Sequence, residues 1–109
     1  MTQAFLERLR DVTGFAEAGL TARDGRPLVS IKGGSEERLL GGGALRTERF
    51  AVCAQGSLSD AEGAVSYLRE NPPEGCFSLT VSRPPYVYFD KEIMYCAFEV
   101  TVTGRIMDE

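Results

Sequence analysis

The sequence predicts an α+β fold: a mixed, mainly antiparallel sheet of four to five strands with two helices packed on one face, in the order α-β-β-α-β-β-β. Three observations carry this. The segment YCAFEVTVTGRI, Tyr95 to Ile106, alternates Cys96, Phe98, Val100, Val102 and Ile106 with Glu99, Thr101, Thr103 and Arg105, a half-buried strand of unusual length. SLSDAEGAVSYLRENPP carries a capping signal and an apolar helical stripe. The N-terminal TQAFLERLRDVTG places Phe5, Leu6, Leu9 and Val12 on one helical face.

In chain order, the first helix is expected from Thr2, as cap, to Gly14, where a left-handed residue ends it. Asp24-Gly25 predicts a turn, and Leu28 to Ile31 or Lys32 a short strand. GGSEERLLGGG, residues 33–43, has five glycines in eleven residues and reads as a connecting loop. The strand ALRTERFAVCAQG follows, with Phe50, Val52 and Ala54 on one parity and Gly56 at its end. In the second helix, Ser59 and Glu62 fit a capping box, Ala61, Ala64, Val65 and Leu68 form the stripe, and Asn71-Pro72-Pro73 is the stop. GCFSLTVS and RPPYVYFD predict two further short strands separated by a Pro84-Pro85 bend, and Asp90-Lys91 turns into the final strand, 93–106. The helix between strands allows one parallel crossover, right-handed if so.

The 109 residues suit one domain, able to fold without metal or disulfide. A net charge of −4 argues against a duplex-DNA or anionic-membrane surface. No run of 18 apolar residues is present, and charges stand where a leader would be apolar, which places the chain in the cytoplasm at synthesis. Cys53, Cys76 and Cys96 form no C-x-x-C pair and read as small buried hydrophobes. The chain has no histidine, which removes Ser-His-Asp, Cys-His and H-E-x-x-H chemistry.

The glycine-rich loop lacks a G-K-[ST] sequence, and Glu36-Glu37 would repel a phosphate. Its adjacent Leu39 and Leu40 either enter the core or dock on a partner. Asp60, Glu62, Glu70, Glu74, Asp90, Glu92 and Glu99 show no spacing that pairs two of them for acid–base work. Tyr86, Tyr88, Phe89 and Tyr95 form an aromatic cluster without interleaved basic residues, which favours an interface or core packing over a stacking platform. No catalytic, cofactor or metal site emerges, so the chain reads as no enzyme. The other classes open are a small ligand-binding or regulatory module, and an enzyme using only Tyr, Lys91, Lys32, Arg and carboxylates.

The whole pattern resembles the minor capsid or tail terminator proteins of long-tailed bacteriophages and related prophage tail particles. The likeness lies in the N-terminal helix, the Pro27-Leu28 strand running into glycines, a strand entering RFAV, a capped helix ending YLREN, and the long last strand. It implies a structural protein that assembles in the host cytoplasm and ends in the virion tail. There it would form a six-membered ring on the tail tube, stop polymerisation and offer the joint to a head–tail connector; the chain could equally be a neighbouring connector. Under this resemblance the overhang Glu99 to Ile106 is expected to pair with a neighbouring subunit. The interface would include Glu99, Thr101, Thr103, Arg105, Ile106, Tyr86 and Tyr88, and tube contact falls to Gly33, Gly34, Glu36, Glu37, Arg38, Leu39, Leu40 and Arg46. No cofactor and no direct duplex-DNA or membrane contact is expected.

Overall fold

Strand β4, Ile93–Ile106, lies inside the sheet, with a long strand hydrogen-bonded along each side. The computed structural model describes residues 1–22 and 25–106, so Asp24 of the expected turn and the C-terminal 107–109 lie outside the described residues. The other elements are α1 (Thr2–Arg10), β1 (Leu28–Arg38), β2 (Ala44–Gln55), α2 (Leu58–Glu70) and β3 (Cys76–Asp90). The four strands are ordered β1-β2-β4-β3 and every neighbouring pair is antiparallel. Strands β2 and β3 therefore run parallel to each other, joined through α2 with β4 between them.

One face of the sheet forms the core. Phe50, Val52 and Ala54 of β2 and Cys96, Phe98, Val100 and Val102 of β4 meet Phe5, Leu6 and Leu9 of α1 and Ala61, Ala64, Val65 and Leu68 of α2. Phe5 stacks on Phe50 with ring centroids 4.3 Å apart, and Phe15 packs at a tilt on Phe98. The alternation read from residues 95–106 is thus the alternation between the helix-covered face and an uncovered one.

Length decides the rest of the shape. The 15 residues of β3 reach about 50 Å at 3.3 Å per residue, close to the 53 Å longest extent of the molecule. Helices α1 and α2, of 9 and 13 residues, span only about 14 and 20 Å. The sheet is therefore longer than its helices, and exposed apolar side chains stand near its ends, Phe77 toward one and Val87, Phe89 and Met94 toward the other.

Several expectations are corrected. GCFSLTVS and RPPYVYFD are one strand, because bulges between Val81 and Arg83 and between Arg83 and Tyr86 absorb the Pro84-Pro85 bend. On an edge strand, prolines need give up no ladder bond. Gly33 to Arg38 are not loop but the second half of β1, which passes a bulge at Ile31/Gly33 and then pairs with Ala44 to Arg49. Only a turn at 39–43 remains, closed by the Leu39 and Gly42 amides donating to Gly43 and Leu39 carbonyls. The capping box is Ser57 with Asp60, not Ser59 with Glu62: Asp60 Oδ2 accepts the Ser57 amide at 2.8 Å, and the helix starts two residues earlier. Helix α1 has Met1 at its N-cap with no side-chain cap and ends at Arg10, while Thr2 donates instead to Glu48.

The overhang hypothesis fails as an edge-pairing argument. Ala44 to Gln55 pair with Ile106 to Tyr95 on one side of β4, and Cys76 to Asp90 pair with Gly104 to Ile93 on the other. The extra length of β4 is matched inside the chain by β2 and β3, so its N–H and C=O groups offer no free edge to a neighbour.

Candidate functional site

The face of the sheet without helices is the candidate site. It is built by parity: Cys53, Ala51, Arg49 and Thr47 of β2 lie opposite Ala97, Glu99, Thr101 and Thr103 of β4. Those in turn lie beside Tyr86, Arg83, Thr80 and Ser78 of β3, and Tyr88 faces Tyr95. On this face Leu28 and Ser30 of β1 sit opposite Cys53 and Ala51.

The site has two halves. At one end threonines and serines form a hydrogen-bonded ladder, with Thr47 3.2 Å from Thr103 and Ser82 bonded to Thr101. Beside it Arg49 reaches Glu99 at 3.6 Å. At the other end Tyr88 stacks on Tyr95 at 5.5 Å, Tyr86 packs on Tyr88 at 6.1 Å, and the Arg83 guanidinium lies 4.0 Å over the Tyr86 ring. The Tyr88 hydroxyl crosses to β2 and meets Cys53 Sγ at 2.7 Å. That hydrogen bond, with some burial, pushes the Tyr88 phenol well above its ordinary value. Burial likewise raises the Cys96 thiol on the opposite face, which leaves it a packing residue.

Between the halves runs a trough of about 220 Å³ over Ala51 and Ala97, lined further by Leu28, Ser30, Lys32, Cys53, Arg83, Tyr86, Tyr88 and Glu99. Small side chains in the middle two strands and large ones on β3 make it concave. Its volume falls below the roughly 300–1,000 Å³ of sites that enclose a small molecule. Because the tyrosines stack on one another and Arg83 covers the first, few ring faces are free for a base. Tyrosine and arginine presented this way are characteristic of protein–protein interfaces.

Six of the seven residues expected at a subunit interface, Glu99, Thr101, Thr103, Arg105, Tyr86 and Tyr88, thus share this face, although by a different route from the one expected. Ile106 pairs with Ala44 at the end of the strand. Phe89 separates from the aromatic cluster: it faces Met94 on the helix-side parity and is exposed. Cys53 is half-buried on the uncovered face rather than in the core.

The residues expected to touch a tube lie toward the end of the sheet away from the tyrosines, the end that also holds Thr103 and Arg105. Gly33, Gly34, Glu36 and Arg46 line an open groove of about 500 Å³ together with Ile31, Lys32, Ser35 and Glu48. Arg46 is held by the buried Glu48 at 2.9 Å, and Glu48 also accepts from Thr2. Leu40 is fully exposed at the turn and Leu39 half-buried, so the two leucines divide between solvent and fold. Glu37 faces Leu45 and Arg38 faces Ala44.

Sequence reasoning missed Arg83, Cys53 and the alanine floor. Arg83 was hidden because two bulges flank it and break the period of two. Ala51 and Ala97, standing on otherwise polar parities, were the available signal for a concavity. Among the described residues no group of three or more Cys, Asp or Glu is placed to hold a metal, and no helix is long and apolar enough to cross a membrane. Comparison with known proteins finds no matching family model and no curated protein of significant similarity.

Proposed function

We propose that this chain is a non-catalytic assembly protein that associates through the uncovered face of its sheet. The observation that supports the reading is the one-sided sheet itself. Its helix-free face carries packed tyrosines, Arg83 and a shallow alanine-floored trough, a surface suited to another protein and too open to enclose a substrate. The tail-terminator resemblance gives this reading its specific form: copies joined in a ring of six that caps a tail tube, with the Leu40 end meeting the tube and a connector protein docking above. In that form the protein works in the host cytoplasm and then in the virion tail.

Sedimentation velocity over a hundredfold concentration range tests the reading. The expected result is a mass above the monomer that Arg83→Ser with Tyr86→Ser abolishes, with the melting temperature of the variant near that of the parent. A parent that stays monomeric throughout, or a variant that associates like it, contradicts the proposal.

A further inference from the structure

We propose that the surface received by the uncovered sheet face is the acidic outer side of α2 on a second copy of the chain, in a head-to-tail contact centred on Lys32 and Arg83. The proposal rests on the reading of that face as the docking surface and names its partner.

Charge is the first argument. Although the chain carries −4, Lys32 and Arg83 line the trough without a carboxylate in ion-pair distance among the described residues. The one carboxylate of the lining, Glu99, is already engaged by Arg49. On the other side of the molecule, residues 1–22 and 57–75 hold seven carboxylates against three arginines. Two of those arginines, Arg8 and Arg10, donate to the Pro72 and Ala18 carbonyls. The third, Arg69, is exposed on α2 itself; the layer keeps its negative excess all the same, while Lys32 and Arg83 stand on the sheet face, which makes the two sides complementary.

Shape is the second. Along the outside of α2, Ser59, Gly63, Ser66 and Glu70 are exposed and recur at i, i+4, i+7 and i+11, with Glu62 beside them. A side chain added at Gly63 would meet nothing within 4 Å. This is a narrow, convex ridge with carboxylates toward both ends, and the sheet offers a concave floor of Ala51 and Ala97 with a cation on β1 and another on β3. Since donor and acceptor surfaces lie on opposite sides of one chain, each copy can use both at once.

The test uses two full-length variants. Lys32→Ser with Arg83→Ser disables the sheet face; Glu62→Ser with Glu70→Ser disables the ridge. Each alone is expected to sediment as a monomer at concentrations where the parent associates, with melting temperatures near the parent's. Mixed in equal amounts, they should give a complex of two chains and nothing larger, because only one productive contact remains. The parent's association should weaken on raising salt from 0.05 to 0.5 M, which shortens the screening length from about 14 to about 4 Å. A ridge variant that associates like the parent overturns this proposal. If the sheet-face variant is then monomeric, docking through the sheet face survives; if that variant also associates, both readings fail. A mixture that stays monomeric likewise overturns the head-to-tail pairing.

Discussion

Lys91 and Glu92 form the two-residue loop between Asp90 and Ile93, and both have positive φ, 50° and 69°. A tight hairpin needs such angles to follow the twist of its strands, but Asn-Gly meets the need with far less strain. We predict that Lys91→Asn with Glu92→Gly raises stability by about 1 kcal/mol, read by urea unfolding; an unchanged or lower midpoint would show that the charges themselves hold the turn. The Tyr88–Cys53 contact makes a second prediction. Because the folded pKa of Tyr88 is raised, its contribution to stability is complete below the unfolded value near 10.0 and is lost as pH rises through the folded one. In an ultraviolet titration one tyrosine should resist ionisation above pH 10.0, and Cys53→Ala should bring it closer to the others; four tyrosines titrating together in the parent would refute the contact.

At the scale of elements, β4 governs the fold because it pairs on both sides along most of its length. Gly104 shows how closely it is packed there. An added Cβ would come within 2.8 Å of both the Gly75 carbonyl and Met1 Cε, and the backbone oxygen cannot swing away. Gly104→Ala should therefore destabilise by about 1–3 kcal/mol in denaturant unfolding; a neutral result would mean that the 73–76 approach to β3 gives way freely. For the same reason a cut at Thr103 removes residues from the middle of the sheet and not a dispensable overhang. Helices and strand parity were legible in the sequence because Leu68, Val100 and their like follow periods that nothing interrupts. The run Gly33 to Arg38 was not: its glycines and charges lack an apolar parity, since past Ile31 this ribbon leaves the helix layer and neither face is buried. Likewise Pro84-Pro85 resembled a break, and only pairing with β4 makes one strand of it. The candidate site was legible as residues, Tyr86, Tyr88 and Glu99 among them, but their common ground as a face depended on strand order, which local pattern does not encode.

Across the whole molecule, a sheet about 50 Å long carries a helix layer on one side only, with negative excess on the helices and Lys32 and Arg83 on the bare face. Among the described residues no further element covers that face. The central claim is that another protein surface does so, and that the surface is presented by a second copy. The most direct measurement is a concentration series of amide NMR spectra of the isotopically labelled chain, from dilute to associating conditions. The account predicts shifts concentrated at Cys53, Arg83, Tyr86, Tyr88, Ala97 and Glu99, with a second set along the outside of α2. Shifts confined to Leu40 and the Gly33–Arg46 groove, with the sheet face silent, would contradict it.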